Sequence, residues 1–537
     1  MYMLKEKSVL VVDDSPIIQQ TTKAVLQKCG FQNTNLYSVS NAVDALQVCR
    51  SMAFDILLLD FNLGNGRSGL QLLEQLHHLD LLTHNPLVLI ITADDSLPIV
   101  MAFAEFEPDD YLVKPLRPNN LQKRLVANLS QQQLNESIWQ AFNLTGVTGA
   151  RKALQQAQNE KSFKLAITQL CKRLAKHQQL PTAIALLKSF ITQHDYLPAK
   201  LLLIELLLRC NSLEQATKNT AEVQTAFPQH IKVLDLSARI YLKNNDLQQG
   251  YLLWLKAHQL SHYNLERLLG LILIENTLLS KRGYSEKLLK DANRLLQGSI
   301  WDSRDMRCLL SWGLLQNTQK SVSSIERLWC SISREDQTTA AERPYLQILQ
   351  AWQSAQQDRK LLAFKQVQQI SVNNETKNSY VFQLLSYRLY QLLNMRSAMQ
   401  KCISQIALLC TLDKCDSHKV IKYQWLAKNK SILTPDENYY QALELYQRSP
   451  ALAAKAIFAA WENNRFDDEL AQSLIHVYCN DQIEHTPTTR ESFIQARWVF
   501  ESQSTPPKWY SALQACNSIL QTPVEVMTRK AAGAIAA

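Results

Sequence analysis

The stretch SVLVVDD (residues 8–14) runs four apolar residues straight into two adjacent carboxylates, Asp13 and Asp14. A strand that is apolar on both faces belongs inside a parallel sheet. Two neighbouring Asp side chains repel each other and need solvent, a cation or a base. The segment is therefore expected to be a buried strand that delivers its acidic end to an open edge. Outward from it, short apolar runs alternate with amphipathic stretches over the first 130 residues. Strand-like segments fall at 34–39 (TNLYSV), 54–60 (FDILLLD), 87–92 (LVLIIT) and 111–113 (YLV). Helical patterns fall around Pro16–Cys29, Ala42–Met52, Gly69–His77, Leu97–Ala104 and Asn119–Leu129. Such alternation predicts an α/β domain with a five-stranded parallel sheet covered on both faces.

The polar residues fall where these strands end. Asp13 and Asp14 close the first, Asp60 the third and Thr92 the fourth, and Lys114 follows the fifth. The carboxyl ends of an open parallel sheet share one edge, where ligands bind. Three carboxylates, one hydroxyl and one ammonium are thus expected to converge. Three carboxylates at one point call for a divalent cation, and oxygen-only ligation suits Mg²⁺. Once its charge is offset, a carboxylate can attack a phosphoryl donor and form an acyl phosphate. Lysine and threonine would then contact the phosphoryl oxygens. Any one of these residues alone would read as a strand-end cap; all five in order point to a site.

The segments VLVVDDS, DILLLDFNLGNGRSG, LVLIITAD and DDYLVKPL resemble the receiver domain of two-component response regulators, the CheY-like, flavodoxin-like fold, over about residues 4–130. The resemblance implies that Asp60 accepts the phosphoryl group and that Asp14 and Asp60 ligate Mg²⁺, with Asp13 acting through water and the Asn62 backbone carbonyl as the remaining protein ligand. It further implies that Thr92 and Lys114 contact the phosphoryl group, that Thr92 and Tyr111 form the switch, and that the peptide between Lys114 and Pro115 is cis. The sequence departs from the family pattern at three places. Gly64 stands where Pro is usual, Gly69 comes one residue later than the usual Gly, and Glu107 replaces a small residue. Asp94, two residues after Thr92, is a candidate for tuning attack by water or for a helix N-terminal carboxylate.

After residue 130 the pattern is helix after helix. A polar connector is expected over 131–155, a tetratricopeptide-like (TPR-like) α-helical repeat domain over 156–525, and a disordered tail over 526–537. Segments around Leu180, Leu213 and Leu247 align at spacings of 33 and 34 residues, each with Ala183, Ala216 or Gly250 three positions later. A small residue there lets two helices approach, and the period matches a helical-hairpin repeat. Weaker units centre on Ala363 and Ala398. Stacked hairpins form a solenoid suited to binding another protein. A Cys402, Cys410, Cys415 and His418 group has no common zinc spacing and reads as core residues.

Charge supports two kinds of module. Residues 1–130 carry 10 Lys/Arg against 14 Asp/Glu, and the remainder carries 47 against 34. The 11 scattered cysteines favour reduced thiols and a cytoplasmic protein. No apolar run reaches the ~18 residues needed to span a bilayer, so no membrane insertion is expected. No nucleotide loop, cyclic-dinucleotide motif or helix-turn-helix is present, so no separate enzymatic output is expected.

The leading expectation is a response regulator phosphorylated on Asp60 by a sensor histidine kinase or phosphotransfer protein, controlling a protein ligand of the helical repeats. The layout is similar to VieB-type receiver–TPR regulators, which implies action on the partner kinase or its phosphorelay. A homodimer is compatible with the sequence. The alternative is a phosphorylation-dependent nucleic-acid-binding regulator driven by the basic rear segment. A diffuse charge excess more often marks a solvated surface.

Overall fold

The computed structural model describes residues 2–514 except 65–67, 83–84, 94–96, 279–284, 318–324, 334–336, 413–415, 433–436, 481, 483, 504–509 and 512–513. Asp94, Cys415 and the tail 526–537 lie outside the described residues. The chain divides into two compact units, one comprising 1–280 with 287–302, the other 281–286 with 303–537.

The first unit opens with five parallel strands: β1 (Val9–Val12), β2 (Leu36–Val39), β3 (Ile56–Asp60), β4 (Leu87–Thr92) and β5 (Asp110–Val113), in the order β2-β1-β3-β4-β5. All residues of β1, β3 and β4 are buried, as strands covered on both faces must be. Side-chain alternation feeds two cores. Leu10, Val12, Leu57 and Leu59 pack on one face, and Val9, Val11, Ile56 and Leu58 on the other. This is the flavodoxin-like receiver fold, and an all-helical remainder of about 20 helices follows it.

The boundary between the sheet domain and the helices differs from the sequence expectation. The segment 131–155 is helical and continuous with the helix after β5, so one helix spans Pro118–Leu154. Pro118 sits at its first turn, where the missing N–H costs nothing. Leu121, Leu125 and Leu129, one turn apart, pack into the sheet core. Leu134, Ile138, Trp139 and Phe142 continue on to pack against the helices beyond. The helix bends at Thr145 and Gly146, where Gly146 takes φ 64°, ψ −147°, a conformation essentially open only to glycine.

The next helices pair through turns of one design. Leu180, Leu213 and Leu247, aligned from sequence, are each the first residue of a helix. Two residues before each lies a residue of positive φ: Gln178 (62°), Asn211 (57°) and Asn245 (64°). Around them the backbone closes identically, with Gln179 N donating to Leu174 O at 2.9 Å, Ser212 N to Leu207 O at 2.9 Å and Asp246 N to Tyr241 O at 2.9 Å. These are Schellman caps, in which a left-handed residue ends one helix and satisfies its last carbonyls. Asn tolerates that conformation better than most side chains. In the second unit the same cap recurs at Asp358 (59°), with Arg359 N to Ser354 O at 3.0 Å, and at Asn394 (54°), with Met395 N to Tyr390 O at 2.9 Å.

The small residues serve close packing. Ala183, Ala216 and Ala363 are fully buried, while Ala398 is only half-buried. Cys402 and Cys410 are buried on the helix Arg396–Leu412, and His418 is also buried. No disulfide joins any two of the nine described cysteines. No described helix is long and apolar enough to cross a membrane.

At Gly250 a Cβ would lie 2.7 Å from Leu242 Cδ2 and 2.9 Å from its Cγ. Gly250→Val is therefore expected to overpack this helix pair and cost about 1–3 kcal/mol. The check is the urea midpoint followed by far-ultraviolet circular dichroism. An unchanged midpoint would show that the pair has slack.

Candidate functional site

β1 and β3 carry Asp13 and Asp60 to the carboxyl edge, where both are buried, while Asp14 is exposed. Their carboxylates offer three oxygens within 4.8 Å of one another. Lys114 reaches in from the end of β5, with Nζ 2.8 Å from Asp13 Oδ2 and 3.1 Å from Asp60 Oδ2. The other Asp13 oxygen accepts the Ser15 backbone N–H at 3.0 Å. Thr92 ends β4 and is buried at the same edge. Lys114–Pro115 is a cis peptide. Tyr111 is 39% exposed.

The electrostatics are asymmetric. Burial pushes the Asp60 carboxyl up; Lys114 pulls it back, the Asp13 and Asp14 charges push it further, and the net direction is upward. For Lys114, burial acts downward, but bonding to Asp13 and Asp60 outweighs it and holds the ammonium firmly charged. A lone ammonium bridges two acids while a third remains at the rim. Such a cluster favours any added cation and a nucleophilic Asp60 once one is present.

The loop after β3 explains two sequence departures. Gly64 has φ 73°, which proline, fixed near −65°, cannot adopt. A Cβ on Gly69 would stand 2.1 Å from the Asp60 carbonyl oxygen, so the chain returns over Asp60 only with glycine there. Asn62 is exposed in this loop.

Three carboxylates and a lysine at the carboxyl edge of a doubly wound sheet define a CheY-like receiver. The response regulator receiver domain family matches residues 9–126. The chain is 30% identical over 121 residues to chemotaxis protein CheY-3 of Vibrio cholerae serotype O1, covering 22% of this chain and 90% of that protein. It is 31% identical over 133 residues to the cyclic di-GMP phosphodiesterase response regulator RpfG of Xanthomonas campestris pv. campestris, covering 25% of this chain and about a third (34%) of RpfG. Among solved structures, a CheY-like receiver domain protein from Methanospirillum hungatei JF-1 aligns at 26% identity over 24% of this chain and 96% of its own, with a TM-score of 0.21. The chain belongs to the response regulator receiver family, and its first quarter places it in two-component signalling.

A second group of residues, not anticipated from sequence, joins the receiver to the helices of the same unit. Arg267, 2% exposed, pairs with Glu105 at the end of helix Leu97–Phe106 and lies 3.0 Å from Asp235. Asn264 donates to the same Glu105 at 2.9 Å. Glu107, at φ 49°, bonds Lys172 at 2.5 Å and Lys232. Burial acts to raise the Glu107 carboxyl, but the two lysines overwhelm it and hold it at about 2. Gln71 and Gln75, on helix Gly69–His78, donate to the carbonyls of Leu295 and Gly298 at 2.8 and 2.7 Å. Phe61, next to Asp60, meets Tyr263 edge to face at 5.4 Å. The only available sequence signal was Glu107, a charge where a small residue is usual.

Glu74, on the same helix as Gln75, is raised to about 7 by burial, against a Trp301 hydrogen bond and with Glu266 adding to the rise. Its folded value exceeds its ordinary 4.5, so the folded state holds this proton more tightly and loses stability as pH rises from about 4.5 through 7. Glu74→Gln is expected to raise the melting temperature at pH 8 and to match wild type near pH 4. Equal melting temperatures at pH 8 would show that Glu74 ionises in the fold without cost.

Proposed function

We propose that this protein is a response regulator that accepts a phosphoryl group on Asp60 and passes the signal to a TPR-like helical output region. The observation that carries the reading is Lys114 bridging Asp13 and Asp60 beside Thr92 at one sheet edge. The all-oxygen set of Asp13, Asp14 and Asp60 fits Mg²⁺, with the Asn62 carbonyl as a further donor. When bound, Mg²⁺ supplies the positive charge that lets a phosphodonor approach these acids. An Asp60 oxygen then forms its bond to phosphorus as the phosphorus–nitrogen bond of a kinase or phosphotransfer phosphohistidine breaks. Lys114 turns from Asp60 to a phosphoryl oxygen, Thr92 hydrogen-bonds another, and Tyr111 follows the space that Thr92 leaves.

In this reading the receiver spans 4–130 and the repeats follow from about 156, with Pro118–Leu154 in common. The repeated Schellman turns at Gln178, Asn211 and Asn245 support the repeat assignment. The contacts of Glu105 and Glu107 with the helices support coupling, because helix Leu97–Phe106 begins just after Thr92. Phosphorylation would shift this helix, loosen the contacts and change how the repeats meet a protein partner in the same circuit. No separate catalytic output is part of this reading.

Three outcomes are expected. Labelled acetyl phosphate with Mg²⁺ labels the wild type and leaves Asp60→Ala unlabelled; label persisting in Asp60→Ala sinks the acceptor assignment. Hydrogen exchange across Leu97–Phe106 rises on phosphorylation, and Glu107→Gln shows part of that rise without it. Arg267→Ala strands Glu105 and Asp235 and is expected to cost about 3–5 kcal/mol. Identical exchange in the two phosphorylation states would refute the coupling.

A further inference from the structure

Away from the phosphorylation site, the first unit gathers three side chains that neither the receiver chemistry nor the receiver contacts use. His258 lies in the last turn of helix Leu247–Leu260, His262 two residues past its end, and Asp291 on helix Glu286–Leu296. The extended residue Ser261 ends the helix, and the turn there brings the His262 ring beside that of His258. Each ring offers a nitrogen, and Asp291 a carboxylate oxygen, with all three atoms within 4.8 Å of one another. His258 Nε2 and Asp291 Oδ2 are 3.1 Å apart, and the two imidazole centroids 4.9 Å apart at 71°. Ligand atoms bound tetrahedrally at about 2.0–2.2 Å from one ion sit ~3.4 Å from each other, so the spacing is already close to what coordination needs.

A second observation bears on a ligand. His258 is 1% exposed, and both its Nδ1 and that of His262 are buried without a hydrogen-bond partner. Buried polar nitrogens are normally satisfied. An unpartnered Nδ1 on each of two imidazoles beside one carboxylate is the donor pattern that a bound ion would satisfy.

We propose that His258, His262 and Asp291 form a binding site for a divalent transition-metal ion of the zinc class, with a solvent ligand completing its coordination. Two imidazoles and one carboxylate are a donor set that zinc accepts. Mg²⁺ is excluded by chemistry, because it prefers oxygen ligands. Lys287, Arg294 and Arg267 surround His262, and Arg294 lies 3.6 Å from Asp291. These charges oppose a hard cation, so affinity must come from imidazole–metal bonds. Burial lowers His258 to about 4 and lowers His262 as well.

The position gives the site leverage. Flanking His262 are Ser261, Tyr263 and Asn264, which meet Arg267, Phe61 and Glu105 respectively. An ion at His262 and Asp291 would pin this segment against helix Glu286–Leu296.

The test uses the full-length chain, stripped with a chelator and held in excess Mg²⁺ so that the Asp13, Asp14 and Asp60 site is occupied. Co²⁺ is added as the spectroscopic probe. One equivalent with visible d–d absorption is expected, displaced by Zn²⁺ and retained in Asp60→Ala. Loss of a supporting group around a metal costs about 10–100-fold in affinity, so His262→Asn and Asp291→Asn should each weaken binding by more than tenfold. Both sites are part-exposed, and melting curves of the metal-free variants confirm that they fold. The proposal is overturned by the absence of saturable binding, by binding that both variants leave intact, or by thiolate charge-transfer bands that assign the ion to cysteine.

Discussion

One helix belongs to two cores. Leu121, Leu125 and Leu129 are among the most buried residues of the sheet domain, and Ile138, Trp139 and Phe142 anchor the first helices beyond it. The backbone between them is regular until Thr145 and Gly146. A flexible linker would let the receiver and the helices orient independently. A continuous helix instead ties the orientation of one core to that of the other. Trp139 makes the second anchorage firm, with the His177 ring stacked at 4.9 Å and the Arg173 guanidinium 4.5 Å from its ring centre. The receiver contacts at Glu105, Glu107, Gln71 and Gln75 are compatible with one another because this helix fixes the geometry in which they meet.

Against that background, the sheet edge that carries Asp13, Asp14 and Asp60 is electrostatically unsettled. Lys114 serves Asp13 and Asp60 together, yet burial and the neighbouring acids still leave the Asp60 carboxyl raised. The cluster is held by one ammonium shared between Asp13 and Asp60. A change of charge at Asp60 acts first on Lys114, which follows directly on β5.

The receiver was legible because its signals are local. Apolar runs ending in Asp13, Asp60 and Thr92 mark both strand and edge, and topology alone brings those edges together. The hairpin period was legible for a similar reason, since Leu180, Leu213 and Leu247 each open a helix. What specifies the turns, a left-handed residue at Gln178, Asn211 and Asn245, is a conformation that composition only suggests, and glutamine does not advertise it at all. The segment 131–155 reads as a polar connector because its apolar residues are sparse, on a helix whose apolar stripe is divided between two cores. Arg267 was not legible: nothing near it in sequence distinguishes it from a surface arginine, and its partners lie more than thirty residues away.

Burial of the Arg267, Glu105 and Asp235 group decides what kind of contact it is. Removing three charges from water costs several kcal/mol each, and mutual attraction only roughly offsets this. Such a group adds little net stability, yet it tolerates one arrangement and penalises any with a partner missing. Glu107 complements it at the rim, where two lysines and partial exposure make a contact that is easy to make and break. An interface with a specific buried triad and a loose charged rim can hold the receiver in a defined pose without locking it. A modest displacement of helix Leu97–Phe106 is then enough to change the balance, because the triad has little surplus attraction to lose before desolvation dominates.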